Sequence, residues 1–101
     1  MFDKKIIRVY YLTRDEQGRV ELWESKPVFV HAEDGNGFFV DVRNPENQLS
    51  LDDPFNRVLS HRVLVLNSTC QTVIVNMTKK GSTILLGETF SYKESKELCK
   101  I

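Results

Sequence analysis

The chain has 101 residues, with 14 Lys plus Arg against 14 Asp plus Glu and hydrophobic and charged fractions of 41% and 28%. That length holds one domain, residues 1–101, rather than two cores, and the mixture is that of a folded globular chain, not a disordered one. A formal charge of zero excludes the strong electrostatic footprint of a dedicated nucleic-acid binder.

Charge is spread evenly enough to name no partner: residues 1–50 carry 7 basic and 9 acidic side chains, residues 51–101 carry 7 and 5. The chain starts at Met1, as a complete small protein would. A secretory signal needs an apolar stretch of roughly 7–15 residues, and Arg8 interrupts the only early candidate. No run approaches the ~20 apolar residues of a membrane span. A cytoplasmic location is therefore expected, with Cys70 and Cys99 as free thiols. Asn67-Ser68-Thr69 and Asn76-Met77-Thr78 fit the glycosylation pattern, but without a signal they read as chance matches.

Along the chain, short β-branched and aromatic runs alternate with turn residues. Lys5 to Thr13 is the first, with Ile7, Val9, Tyr11 and Thr13 on one side and Ile6, Arg8, Tyr10 and Leu12 on the other. Asp15-Glu16-Gln17-Gly18 reads as a type I turn. Arg19 to Ser25 follows as the return strand. If Arg14 faces Arg19, Tyr10 lies opposite Trp23, Leu12 opposite Glu21, and Tyr11 opposite Leu22; a shorter loop would shift this register.

Pro27 marks a strand start or edge. Val28 to Ala32 and Phe38 to Val42 are predicted strands around the turn Glu33 to Gly37, and Arg43 to Ser50 is predicted loop. Asp53 and Pro54 have the N-cap and N1 chemistry of a short helix near 53–60. Four further strands are expected: Arg62 to Asn67, Thr72 to Thr78, Ser82 to Leu86, and Glu88 to Tyr92. Ser91 to Glu94 has a capping-box pattern, consistent with a short C-terminal helix or a frayed end.

Spacing of this kind predicts an all-β fold: a small antiparallel β-sandwich of about 7–8 short strands, with a five- or six-stranded barrel as the alternative. Val63 to Tyr92 loosely resembles the second half of immunoglobulin-like domains, but Trp23 precedes both cysteines, so the Cys…Trp…Cys order is absent. Ser60-His61 and Leu86-Gly87-Glu88 resemble parts of the forkhead-associated domain, whose early Gly-Arg motif is missing. The chain is assigned to neither family.

Chemical motifs are weak. Asp34-Gly35-Asn36-Gly37 looks like the middle of a calcium loop, but the end positions fall on Ala32 and Arg43, where oxygen ligands are required; a hairpin turn explains it better. His31, Glu33 and Asp34 offer too few well-spaced donors for zinc. Cys70, His61 and Asp41 could form a nucleophile, base and orienter, and Glu21, Glu24 and Asp41 could pair as acids, yet nothing in the sequence brings either set together. Lys79-Lys80-Gly81, with Arg62 and Lys93, is a basic turn with no glycine-rich phosphate loop. No metal or cofactor is expected.

The most informative feature is the predicted mixed face of Arg8, Tyr10, Glu21 and Trp23. Aromatics flanked by charge are enriched at protein interfaces, and aromatics beside basic groups such as Lys5 and Arg19 also stack single-stranded nucleic acid. Burial of the same side chains in the core is the competing expectation. The leading functional expectation is a non-enzymatic domain that binds another protein or itself. An oligonucleotide-binding barrel is the alternative, followed by a hydrolase built on Cys70 or paired carboxylates.

Overall fold

A computed structural model of the chain describes residues 6–33, 35–41 and 43–92. Seven strands and one helix follow in order: β1 (Ile6–Arg14), β2 (Val20–Trp23), β3 (Val28–His31), β4 (Gly37–Val40), β5 (Gln48–Leu49), α1 (Pro54–Arg62), β6 (Thr69–Thr78) and β7 (Gly81–Ser91). Five strands form an antiparallel sheet in the order β5-β2-β1-β6-β7, and β3 and β4 form a separate hairpin. The fold is thus all-β with two antiparallel layers and one short helix. The barrel alternative is wrong: the sheet ends on β5 at one side and β7 at the other. The predicted C-terminal helix lies outside the described residues.

β1 is central because its alternation serves two cores. Tyr10 and Leu12, with Leu22 of β2 and Val73 and Val75 of β6, face α1 and the segment after it, where Leu59, Val63 and Val65 complete a cluster. The other parity of β1 and its neighbours places Trp23 and Cys70 against Phe39 of the hairpin, with Tyr11, Phe29, Phe90 and Tyr92 packed around them. Lys26 closes one side, its ammonium 3.6 Å from the centre of the Phe90 ring. A strand buried on both faces needs its polar side chains satisfied. Thr13 meets this by accepting from the Trp23 indole N–H at 2.9 Å and donating to the Glu21 carbonyl at 3.3 Å.

The β1–β2 loop corrects the predicted register. The Asp15 amide donates to the Arg19 carbonyl, and the Asp15 carboxylate accepts from the amides of Gln17 and Arg19, both at 2.9 Å. Gly18 takes a φ of +88°, the left-handed position that such hairpin loops require. Arg14 therefore pairs with Val20, not Arg19, and the loop is the five residues Asp15 to Arg19, closed by the Asp15 amide on the Arg19 carbonyl. Tyr11, not Tyr10, lies opposite Trp23, and Leu12 lies opposite Leu22. A one-residue slip exchanges faces along a strand, so every cross-strand neighbour expected for β2 changes.

Asp53 caps α1 as its sequence suggests, accepting from the amides of Phe55 and Asn56. The helix runs on to Arg62, beyond the expected end. Residues 63–67 then run without a ladder partner, so the strand expected at Arg62 to Asn67 is absent. Its alternation is still real. Val63 and Val65 are buried while Leu64 and Leu66 are exposed, and the Val65 carbonyl accepts from Arg14 Nε at 2.7 Å. Alternation reports which way side chains point; it does not report whether the backbone has a strand partner.

The two strands expected at Ser82 to Leu86 and Glu88 to Tyr92 are one strand. Gly87 is not a break but part of a bulge, at which the β6–β7 register shifts between Gln71 and Val73. A side chain at Gly87 would stand 3.2 Å from Thr72 Cβ, so the two strands approach closely at the bulge. Gln71 Nε2 donates to the carbonyls of Thr72 and Gly87 at 2.9 and 3.0 Å and holds the bulge shut.

Candidate functional site

The four residues expected to share one face do not share it. Arg8 and Tyr10 lie on the α1 side of the sheet, and Glu21 and Trp23 lie on the hairpin side, because of the register described above. Tyr10 and Trp23 are both buried, at 6% and 3% exposure. The two rings therefore provide no common platform for stacking bases. Each pair instead borders its own depression. Arg8 and Tyr10 share a shallow polar one with Glu24 and Ser25.

Glu21 and Trp23 line the larger groove, about 580 Å³, between β2 and the β3–β4 hairpin. Phe38 and Val40 supply its apolar wall, and Asp41 and Gln48 supply polar groups beside Glu21. Gln48 is placed by the short β5 strand, which pairs with Trp23, and its Nε2 donates to Glu21 Oε2 at 2.9 Å. Asp41 is held differently. Its Oδ1 accepts from the amides of Arg43 and Asn44, and its Oδ2 accepts from the Asn47 side chain.

Asn47 is the residue the sequence did not announce. It is 1% exposed and its side chain joins three segments, accepting from the Ser25 amide and donating to the Ser25 carbonyl and to Asp41. In the sequence it sits inside a polar stretch, Arg43 to Ser50, that reads as solvated loop. Its only signal there is a 3₁₀ turn, Pro45–Asn47, started by Asn44 and Pro45.

Burial pushes the Glu21 carboxyl above the usual carboxylate range; Arg19 and the Gln48 hydrogen bond oppose the rise and Asp15 adds to it. The folded state thus holds this proton more tightly than the unfolded chain, and ionising Glu21 costs stability as pH rises through its titration. Glu21→Gln keeps an acceptor for Gln48 and removes the ionisation. The variant should be more stable than wild type at neutral pH, with the difference disappearing below pH ~4, where both chains are neutral at this position. Urea midpoints at the two pH values check this. A difference that does not change with pH would contradict it.

The other candidate sets separate. Cys70 is fully buried in the Trp23–Phe39 cluster, and burial pushes its thiol up to about 11, with Lys26 opposing. His61 is exposed near the end of α1, on the opposite face of the sheet. A buried, neutral thiol is a poor nucleophile. Glu24 borders the Arg8 pocket, away from Glu21 and Asp41. Among the described residues no three His, Cys, Asp or Glu side chains converge as a metal site would require; Asp34 of the His31-Glu33-Asp34 set lies outside them. Within the same residues no helix is long and apolar enough to cross a membrane.

The remaining distinctive surface lies at the far end of the sheet. Beyond the hairpin the same face is uncovered among the described residues, and Val9, Ile74 and Leu85 stand directly opposite one another across β1, β6 and β7. Val9 is 43% exposed and Leu85 52% exposed, with Ile7 beside them at 61%. Among the described residues β7 has a strand neighbour on one side only.

The chain matches no protein-family model, no curated protein and no solved structure. Its functional reading therefore rests on this geometry alone.

Proposed function

We propose that the domain is a non-enzymatic interaction module that associates with a second copy of itself through β7 and the apolar row beside it. The observation that supports this reading is the row Val9–Ile74–Leu85, which among the described residues runs uncovered to an open strand edge. Exposed apolar patches next to bare edges mark association surfaces, because both the side chains and the unpaired backbone gain from a partner. Protective devices are sparse on this edge. Ser82 to Leu86 contains no lysine, proline or other charge, and the bulge at Gly87 begins only after it. Antiparallel pairing of β7 with its copy about a two-fold axis would join the two apolar rows into one surface, as an isologous interface requires.

Light scattering coupled to size exclusion over a range of concentrations tests the proposal. Wild type should shift from monomer to dimer as concentration rises. Leu85→Lys places a charge within the row and should weaken dimerisation at least ~10-fold, about 1.4 kcal/mol, while leaving the circular dichroism spectrum unchanged. A protein that stays monomeric throughout would defeat the reading. A dimer that tolerates Leu85→Lys would place the contact elsewhere and defeat the assignment to β7.

A further inference from the structure

The groove beside Trp23 has a chemistry that the association surface does not use. It lies at the other end of the same face, under the β3–β4 hairpin, and its volume of about 580 Å³ falls within the range of small-molecule sites, roughly 300–1,000 Å³. Its walls are mainly apolar: Trp23, Phe38 and Val40. Its polar groups are biased toward one charge, since Glu21 and Asp41 both line it, Gln48 is the third polar residue, and no Lys or Arg is among the lining residues.

We propose that this groove is a binding site for a small organic monocation with an aromatic body, seated with its ring against Trp23 and Phe38 and its ammonium toward Glu21. Three observations support this occupant over a neutral or anionic one. An anion would meet two carboxylates. A neutral apolar ligand would desolvate the Glu21 carboxylate further and bring no charge into the groove to add to the field of Arg19 outside it, which is costly. An ammonium supplies that charge and donates hydrogen bonds to an acceptor that Gln48 only partly satisfies, and the indole and phenyl faces favour a cation nearby.

The two acids have different parts. Asp41 already accepts from two backbone amides and from Asn47, so it fixes the rim and contributes field. Glu21 extends from β2, where its Cα partner is Thr13, and carries the direct contact. Its proton affinity is raised because burial outweighs the opposing field of Arg19, with Asp15 adding to the rise, so a further positive charge at this carboxylate is favourable.

Titration of the full chain with 2-phenylethylamine, 2-phenylethanol and phenylacetate tests the proposal, because the three probes share a ring and differ in charge. Trp23 is the only tryptophan, so its fluorescence and its indole N–H resonance report the site directly. The amine should give saturable changes at the indole and at the amides of Phe38 and Val40, and should bind at least ~10-fold more tightly than the alcohol; phenylacetate should not bind. Glu21→Gln should weaken the amine ~10-fold or more while leaving the weak binding of the alcohol unchanged. Raising pH through the Glu21 titration should strengthen amine binding in wild type and not in the variant. No saturable change with the amine would overturn the site. Equal binding of amine and alcohol, or unaltered amine binding in Glu21→Gln, would overturn the role of charge. Resonance changes clustered at Arg8 or along β7 would place the ligand elsewhere and overturn the assignment. None of these outcomes depends on whether the domain dimerises, which is read separately by light scattering.

Discussion

Leu12→Ala is expected to lower the unfolding free energy by about 3–4 kcal/mol, the middle of the range for removing a buried leucine. Leu12 is fully buried and sits at the centre of the sheet, with Leu22 of β2 as its partner on one side and Gln71 of β6 on the other. Its side chain packs in the cluster that includes Tyr10, Leu59 and Val73. Neighbours drawn from two strands and a helix cannot all move inward at once, so most of the vacated space would remain as a cavity. Domains of this size have only about 5–15 kcal/mol in total, so the variant should approach the threshold of unfolding at physiological temperature. Ile7→Ala on the same strand provides the contrast. Ile7 is largely exposed, and its truncation should change stability by no more than ~0.5 kcal/mol. Urea unfolding of both variants below the dimerising concentration range separates the two. Similar costs at the two positions would contradict the packing described for β1.

The contrast between Leu12 and Ile7 also shows what the sequence could and could not reveal. Both are apolar residues in one alternating run, and alternation correctly assigned them to opposite faces. It could not tell how far along the strand each face is covered, because coverage comes from α1 on one side and the hairpin on the other. Most strands, their antiparallel pairing and the Asp53–Pro54 helix start were readable from local chemistry, but β5 lies inside the stretch Arg43 to Ser50 predicted as loop and the strand predicted at Arg62 to Asn67 is absent. The candidate site was less so. Its four residues were chosen from a register, and that register depended on whether Arg14 faces Arg19 or Val20 across the loop. The deciding factor is the pair of hydrogen bonds from the Gln17 and Arg19 amides to the Asp15 carboxylate, a geometric detail that an Asp-to-Gly spacing leaves open. Glu21 and Trp23 survive as neighbours because they are two apart on one strand. Their actual companions, Phe38, Asp41 and Gln48, come from segments with no sequence signal linking them to β2. Asn47 makes that link, and a single asparagine in a polar stretch carries no mark of being buried.

Gly37→Ala should be almost as damaging as Leu12→Ala, at about 3 kcal/mol, the upper end of the usual cost of overpacking, although it adds only one methyl group. A Cβ at this position would stand 2.1 Å from Phe29 Cζ and 2.8 Å from both Cε atoms, far inside the ~3.5–4.0 Å of a favourable carbon contact. The Phe29 ring has little freedom to withdraw. It is packed against Phe39, His31 and Tyr92, with centroids 5.0, 5.1 and 5.2 Å away. Nor can Gly37 shift outward easily, because its amide donates to the Glu16 carboxylate and its carbonyl accepts from the Glu16 amide. The strain should therefore lift the hairpin from the sheet. Two measurements distinguish this from a general loss of stability. In a Phe29→Ala background the clash has no partner, so adding Gly37→Ala should cost nothing or stabilise by a few tenths of a kcal/mol, as glycine replacement does where the backbone permits it. In a Cys99→Ser background, Cys70 is the single thiol and lies beneath Phe39. Gly37→Ala should speed its reaction with a thiol reagent under native conditions, whereas Leu12→Ala, acting on the other core, should do so only through global unfolding. Additive costs for Phe29→Ala and Gly37→Ala would show that the two residues do not meet as described. Coupling of the expected size would locate the attachment of the second layer at one ring and the glycine beneath it.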